Sequence, residues 1–393
     1  MSPYLPRRTS FEIEIEFLRD TFYKHISASQ SLTIEVNNAA NMMAKCVYDL
    51  LCVMNESPVV PSVFEKHNVL LEYRVATKQY FEKNTHTSPR FIGAQPETLH
   101  KSHIPKILEN YSISEKYDGE RNLLFISDTF EAYLLNRRMI LKSTGLKNSK
   151  HMGSVLDVEV VNGDIFVFDI LFSCGNDLRD NKEYHLEKRI QMINEVVQEC
   201  TGINDMRKNI FVKQHFFGST NFDILFAKWT VPDNIKKDGF IFTPVNEPYP
   251  KRAKWMNLLK WKPLEMNSID FCVQLSARDA SYQTWNLFVG DNAHNIIPFE
   301  PCRKITVPNT NPFAFRNAND KMYKIVECVW DCSQKTFIPL KERTDKKHAN
   351  FKTVAMDVWL SINDPVHLSD LQPKPLSGLR RFHNQVKSKN SET

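Results

Sequence analysis

The sequence contains few glycines and no closely paired cysteines. Only 11 of its 393 residues are glycine, whereas 26 are phenylalanine, so we expect a sizeable, aromatic-rich core. The eight cysteines are scattered, and none belongs to a CxxC pair. This pattern argues against a zinc site and against a disulfide framework. We therefore expect reduced thiols and an intracellular location, cytoplasmic or nuclear.

Long hydrophobic runs are also missing. The most apolar stretch, residues 46–54, is interrupted by Asp49 and is too short to cross a membrane. Residues 1–8 lead directly into an acidic segment, so we expect neither a signal peptide nor a membrane partner. The net charge of +5 is compatible with a nucleic-acid partner but does not indicate one by itself.

The most informative stretch is residues 114–121, Ser-Glu-Lys-Tyr-Asp-Gly-Glu-Arg. β-type residues precede it at 111–113 and follow it at 123–126, so we expect two strands with Lys116 held between them. Gly119 would permit the sharp turn of a hairpin. The pattern therefore predicts a hairpin that presents a lysine.

The residues around this lysine suit phosphoryl chemistry. Strand alternation places Lys116 and Asp118 on one face, and Arg121 returns to the same side. An amine beside an acid and a fixed guanidinium is an arrangement that a phosphoryl-handling site would use. A hairpin with exposed charged residues is the ordinary alternative, because the tetrapeptide K-x-D-G also occurs by chance.

A second candidate site precedes this stretch. Residues 11–17 alternate strictly, which places three carboxylates on one strand face, those of Glu12, Glu14 and Glu16. Such a face is either solvated or bridged by a metal ion, as in a metal-dependent phosphohydrolase. The metal interpretation needs a second acidic strand, and the best candidate, residues 69–75, offers only Glu72.

Nucleotidyl transfer through a lysine needs several further groups. The lysine needs nearby cations that lower its pKa, and acids must hold one or two divalent cations on the phosphates. Further cations neutralise the phosphates, and an aromatic ring stacks on the base. Each type occurs in or beside a predicted strand; the candidates are Arg121, Glu159, Phe168, Asp238, Lys260 and Lys262. Each has an ordinary structural explanation alone, but their combination and order favour a common site.

This combination resembles the lysine-dependent nucleotidyltransferase superfamily of mRNA capping guanylyltransferases, DNA ligases and RNA ligases. The segments that match its ordered motifs are residues 116–121, 136–137, 156–159, 166–169, 238–242 and 259–263. The form Leu-Lys-Trp-Lys-Pro at 259–263 and the distal Arg-Thr-Asp-Lys at 343–346 are similar to capping enzymes rather than ligases. Two departures are Val158, where the family has glycine, and Ala349, where many capping enzymes have proline.

The resemblance implies a two-step reaction. Lys116 would attack the α-phosphate of GTP in the presence of Mg²⁺ or Mn²⁺, and the resulting lysyl-GMP would pass to the 5′-diphosphate end of RNA. Glu159 and Asp238 would bind the metal or the ribose. The matched nucleotide-binding residues are Asp118, Arg121, Arg137, Glu159, Phe168, Asp238, Lys260, Lys262, Arg343, Asp345 and Lys346.

Two other functions stay open at this point. One is an ATP-dependent RNA or DNA ligase that forms lysyl-AMP, and the other is a non-catalytic RNA-binding subunit of a capping complex. The acidic strand at 11–17 resembles viral metal-dependent RNA triphosphatases, but the segment is too short for their complete tunnel, so we expect no robust triphosphatase activity. A separate cap methyltransferase, triphosphatase or RNA polymerase would then be a partner, and a virion location is open if the chain is viral.

The predicted fold class is α+β, with four parts. Residues 1–94 form a small α+β module, and residues 95–265 form an antiparallel-sheet nucleotidyltransferase domain of the ATP-grasp-like, ligase type. Residues 266–370 form an OB-fold barrel with a closing helix, and residues 371–393 form a basic tail. A hinge for closure of the barrel on the nucleotide is expected near residues 263–267.

Overall fold

The computed structural model describes most of the chain. The described residues are 32–55, 59–79, 89–202, 209–218, 222–223, 225–226, 235–291, 295–316 and 323–372. The predicted acidic strand with Glu12, Glu14 and Glu16 lies outside them, and so do residues 373–393 of the predicted tail. None of the described helices is long and apolar enough to cross a membrane.

The described residues form α-helices and many short strands. The helices are α1 (Leu32–Asn55), α2 (Val63–Ala76), α3 (Ile104–Asn110), α4 (Leu186–Gln198) and α5 (Lys352–Asn363). The strands are β1 (Gln95–Thr98), β2 (Tyr111–Tyr117), β3 (Glu120–Ile126), β4 (Glu131–Asn136), β5 (Leu141–Lys147), β6 (Val155–Val161), β7 (Asp164–Ser173), β8 (Asn176–Asp177), β9 (Thr201–Gly202), β10 (Ile210–Val212), β11 (Phe216–Phe217), β12 (Lys237–Pro244), β13 (Lys254–Trp261), β14 (Ser268–Arg278), β15 (Tyr282–Gly290), β16 (Ile296–Pro298), β17 (Lys304–Pro308), β18 (Lys324–Asp331) and β19 (Thr336–Glu342).

The chain divides into two compact units. The first contains the described residues of Met1–Phe91, Leu123–Ser154 and Glu199–Lys208, and the second contains the remainder. In the first unit, β4 pairs with β5 and β5 pairs with β9, both antiparallel. Tyr73 of α2 is fully buried and meets Phe125 edge-on, with ring centroids 5.6 Å apart. This contact packs the helix against the start of the unit's second segment.

The predicted second acidic strand, residues 69–75, is wrong because these residues lie in α2. A capping box begins this helix: the Ser62 hydroxyl accepts from the Glu65 amide, and the Ser62 amide donates to the Glu65 carboxylate. This reciprocal pair favours a helix over a strand. Glu72 therefore lies on a helix, where its carboxylate accepts from the Asp128 amide at 3.0 Å.

The second unit is built on a five-stranded sheet in the order β1-β13-β12-β2-β11. Its pairs are antiparallel except for β1 with β13. One face is packed with fully buried aromatic and aliphatic side chains, among them Ile113, Phe240 and Phe242. Alternation along β2 and β13 then directs Lys116, Lys260 and Lys262 to the opposite face. In the same unit, β6 pairs antiparallel with β7, and β10 pairs parallel with β7.

The predicted hairpin around Lys116 is wrong. Strand β2 pairs with β12 and β11, whereas β3 belongs to a different sheet. Gly119 lies at the crossing, and a Cβ there would come within 2.6 Å of the Val160 carbonyl oxygen and 2.9 Å of Glu159 Cγ. The glycine is thus required by the close approach of β6 rather than by a hairpin turn.

Strands β14–β19 form an antiparallel sheet in the order β16-β15-β14-β18-β19, with β17 paired to β15. Its core contains the fully buried rings of Phe271, Trp285, Phe299 and Phe337. Short strands therefore dominate this region, and helix α5 follows them. Together with the sheets of the second unit they confirm the α+β fold class.

The chain crosses twice between the barrel strands and the five-stranded sheet. The first crossing is the predicted hinge, which contains a single 3-10 turn at Leu264–Met266. The second follows α5, where Val366 and Leu371 join the buried cluster beneath the sheet. The Trp261 indole donates to the Val366 carbonyl at 2.6 Å. Any movement of the barrel therefore involves both crossings.

The approach of β12 to β13 at Gly239 generates a stability prediction. A Cβ at Gly239 (φ +149°) would lie 1.9 Å from the Trp261 carbonyl oxygen, whereas Gly175 (φ +77°) has open space. We expect Gly175→Ala to cost about 1 kcal/mol through backbone strain alone, and Gly239→Ala to cost at least about 3 kcal/mol because it adds a backbone clash. Urea unfolding of both variants tests this, and equal losses would contradict it.

Candidate active site

Asp238 joins the predicted nucleophile, Lys116, to one of the predicted phosphate-binding lysines, Lys262. The Lys116 ammonium donates to the Asp238 carboxylate at 2.7 and 3.0 Å, and the Lys262 nitrogen lies 2.6 Å from the same group. The strand register explains why both lysines reach the Asp238 carboxylate. Lys116 of β2 faces Gly239 of β12, and Lys262 directly follows β13. One carboxylate thus serves two ammonium groups, which leaves an excess of positive charge.

Lys260 adds a third ammonium to this face of the sheet. It pairs with Ile241 of β12, which in turn pairs with Ser114 of β2, so it is one row away from Lys116. Burial lowers the pKa of Lys260, and the neighbouring charges of Lys116 and Lys262 lower it further. A lysine whose charged form is disfavoured by neighbouring ammonium groups is suited to binding a phosphate.

Arg121 is held by a buried acid. Its Nε donates to Asp157 Oδ1 at 2.8 Å and its Nη2 to Asp157 Oδ2 at 2.5 Å, and the Asp157 side chain is completely buried. The guanidinium carbon lies 5.6 Å from the centre of the half-buried Phe168 ring. The structure therefore brings together the predicted sugar–phosphate cation and the predicted stacking ring.

Glu159 pairs with a lysine to which the sequence assigned no role. Lys213 Nζ lies 2.9 Å from Glu159 Oε2, 4.3 Å from the centre of the Tyr117 ring and 5.5 Å from that of Phe168. Burial lowers the pKa of Lys213, and Glu159 opposes this shift. A lone lysine within the apolar run of 210–217 was the available signal, because such a residue needs a buried counter-charge.

The predicted residues Asp118 and Arg137 are both exposed. The Asp118 carboxylate is 2.5 Å from the Lys236 nitrogen and is 45% exposed, so it points towards solvent. The hydrogen bond from Lys236 lowers the pKa of Asp118. Arg137 belongs to the first unit, where it is exposed in the turn after β4. The charges of Lys262 and Lys116 also lower the pKa of Asp118, so its carboxylate lies within electrostatic range of these two lysines.

Two cations of the distal motif, Arg343 and Lys346, contact the carboxylate of Asp270. Arg343 donates to Asp345 at 3.0 and 2.9 Å and to Asp270 of β14 at 3.1 Å. Lys346 also donates to Asp270, whose side chain is 6% exposed. Arg343, Asp345 and Lys346 are therefore assembled within the barrel region, with their charges already paired.

The predicted metal ligands do not form a metal site built from protein groups alone. Glu159 is paired with Lys213, and Asp238 is paired with two lysines. Within the part of the chain that the structure describes, no group of three His, Cys, Asp or Glu side chains is placed to hold a metal ion. This finding includes Glu72, the predicted N-terminal ligand that is described.

His215, two residues after Lys213, is neutral in the folded protein. Its Nδ1 is 3.0 Å from the Ser112 hydroxyl, and its Nε2 is buried with no hydrogen-bond partner among the described residues. Burial, followed by the charges of Lys213 and Arg189, lowers the pKa of His215 to about 3. Protonation of this ring is therefore much less favourable in the folded protein than in the unfolded chain.

This shift predicts acid sensitivity. The unfolded chain binds a proton at His215 below its ordinary pKa of 6.5, but the folded protein does so only near 3, so stability falls as the pH drops through this window. Between about pH 7.5 and about pH 5, we expect the titration of His215 to lower the free energy of unfolding by about 2 kcal/mol. His215→Gln should abolish this part of the pH dependence. Urea unfolding at each pH measures this free energy. His348→Gln, a change of an exposed histidine, is the control. The prediction is contradicted if the free energy of unfolding depends on pH in the same way in wild type and in His215→Gln.

Two family models match the chain. One is described as mRNA capping enzyme, catalytic domain, and matches residues 54–264; the other is mRNA capping enzyme, C-terminal domain, and matches residues 266–372. The boundary between them falls within the first crossing between sheet and barrel.

Curated relatives carry similar descriptions. A probable mRNA-capping enzyme of Acanthamoeba polyphaga mimivirus is 24% identical over 325 residues, which are 65% of this chain and 27% of the relative. The mRNA-capping enzyme subunit alpha of Schizosaccharomyces pombe is 28% identical over 346 residues, 72% of this chain and 80% of the relative. The chain thus spans about a quarter of the viral relative and most of the yeast one. Among solved structures, mycobacterial DNA ligase D complexed with ATP and MES is 12% identical with a TM-score of 0.36, covering 66% of this chain and 98% of that one.

Proposed function

Because the chain belongs to the mRNA capping enzyme family, we propose that it is a guanylyltransferase that transfers GMP from GTP to the 5′-diphosphate end of RNA. The observation that supports this most strongly is the cluster of Lys116, Lys260 and Lys262 on one sheet face, in which Lys116 and Lys262 share Asp238 as their counter-ion. This cluster places a candidate nucleophile among cations that can receive an α-phosphate.

In the first step, the Lys116 nitrogen forms a bond to the α-phosphorus of GTP as the bond to the β-phosphate oxygen breaks. Pyrophosphate leaves, and GMP remains on the lysine. Lys116 must lose a proton to become nucleophilic, and Asp238, at 2.7 Å, is the nearest acceptor. In the second step, a β-phosphate oxygen of the RNA end attacks the same phosphorus, the phosphorus–nitrogen bond breaks, and the nitrogen regains its proton.

The remaining site residues divide by the part of GTP that each would contact. Lys260 and Lys262 neutralise the α-phosphate, Arg121 binds the sugar and phosphate, and Phe168 stacks on guanine. Asp118 and Glu159 complete the nucleotide site, and Arg137 stays a prediction from the motif order. The β- and γ-phosphates, or pyrophosphate, would be bound by the distal group of Arg343, Asp345 and Lys346.

The cofactor and partners belong to the same proposal. A divalent cation, Mg²⁺ or Mn²⁺, is required, and because Glu159 and Asp238 are both paired with lysines it would depend on the phosphates of GTP for much of its binding. A separate cap methyltransferase, triphosphatase or RNA polymerase would act with the chain. The eight free cysteines support a reducing location, cytoplasmic or nuclear.

The test is covalent labelling. Incubation with a divalent cation and α-labelled GTP should give a labelled protein band, which α-labelled ATP should not give. Lys116→Arg should abolish the band because the guanidinium is not nucleophilic at neutral pH. Lys188→Arg, a change of an exposed lysine on α4, should leave it intact.

Acceptor RNA separates the alternatives further. RNA with a 5′-diphosphate should discharge the label, whereas RNA with a 5′-monophosphate, the ligase-type acceptor, should not. A band with ATP alone would identify a ligase. Failure of both nucleotides to label the protein would identify a non-catalytic subunit.

A further inference from the structure

Tyr249, in the loop between β12 and β13, is buried beside Arg121 although the two are far apart in the sequence. Only 1% of its surface is exposed, and its hydroxyl donates to Asp157 Oδ2 at 2.7 Å. The same hydroxyl oxygen accepts a hydrogen bond from the Ala94 amide at 2.7 Å. Because the amide fixes the orientation of the oxygen, the hydroxyl hydrogen is directed at Asp157.

The carboxylate that receives this bond also holds the guanidinium of Arg121. Asp157 Oδ2 accepts from both Tyr249 and Arg121, while Oδ1 accepts from Arg121 Nε. A bidentate pair restricts the guanidinium to the plane of the carboxylate. Any rotation of Asp157 would therefore rotate Arg121 over the Phe168 ring.

We propose that Tyr249 is a positioning residue for nucleotide binding, which acts by fixing Asp157 and through it the guanidinium of Arg121. The inference rests on the proposed function, because it takes Arg121 to contact the sugar and phosphate of GTP. Burial, followed by the charge of Asp157, raises the pKa of Tyr249 well above its ordinary value. The hydroxyl thus remains a donor throughout the working pH range.

The ring of Tyr249 and its hydroxyl have separable roles. The ring packs against Trp255, with centroids 5.3 Å apart, and phenylalanine would keep this contact. Tyr249→Phe therefore removes only the hydroxyl, with its bonds to Asp157 and Ala94 and its longer bond, at 3.4 Å, from Arg121 Nη2.

A second buried tyrosine provides a matched control. Tyr133, in the first unit, is 1% exposed, and its hydroxyl contacts the carboxylates of Glu65 and Glu131 at 2.7 and 2.8 Å. Tyr133→Phe removes the same chemical group from a similar environment. Both variants should lose thermal stability, but only Tyr249→Phe should change the KM for GTP.

The measurement is the GTP dependence of lysyl-GMP formation. Tyr249→Phe should raise the KM for GTP about tenfold, with kcat changed by less than about threefold, and Tyr133→Phe should leave both constants unchanged. In an Arg121→Lys background, Tyr249→Phe should add no further rise, because its effect passes through Arg121.

Several results would overturn the inference: an unchanged KM in Tyr249→Phe, equal KM changes in the two tyrosine variants, or full additivity with Arg121→Lys. If Tyr249→Phe does not fold, Asp157→Asn, which preserves the side-chain volume, gives an independent result: its KM must rise at least as far. A wild-type protein that forms no adduct with GTP would instead contradict the proposed function itself.

Discussion

The pairing of Asp238 with Lys116 and Lys262 is the interaction on which the site depends. Three lysines on one face of the five-stranded sheet repel one another, and the fold tolerates them because this carboxylate lies between two of them at 2.6 to 3.0 Å. The backbone makes the arrangement possible, since β12 and β13 approach so closely at Gly239 that no side chain fits. The close approach of β12 and β13 thus places Asp238 between Lys116 and Lys262.

The same principle recurs around the site. Asp157 holds Arg121, Glu159 holds Lys213, and on the barrel side Asp270 holds Arg343 and Lys346. Each cation is kept in position by an acid when no phosphate is bound, which avoids the cost of burying an uncompensated charge. If the proposed function holds, phosphate binding would exchange one anionic partner for another. The cations would then already be in position when the phosphate arrives, which is preorganisation for phosphoryl transfer.

Sequence patterns anticipated much of this arrangement, but not its contacts. The strand around Lys116, the motif order and helix α5 follow from local periodicity and from resemblance. The contact between Arg121 and Tyr249 could not be predicted from pattern, because the two residues are 128 positions apart in the sequence. Only the folded sheet brings them together. The strand predicted at 69–75 is wrong because the capping box at Ser62 starts a helix that includes these residues. Gly119 suggested a turn, whereas its neighbours show that the space is filled by β6.

The identity of the modified residue tests the central claim most directly. After incubation of the wild-type protein with GTP and a divalent cation, peptide mapping by mass spectrometry locates the added GMP. The account predicts a single modified lysine, Lys116, since it shares Asp238 with Lys262 and faces Gly239 on the central strand β12. GMP on Lys260, Lys262 or Lys213 instead, with Lys116 unmodified, would contradict it.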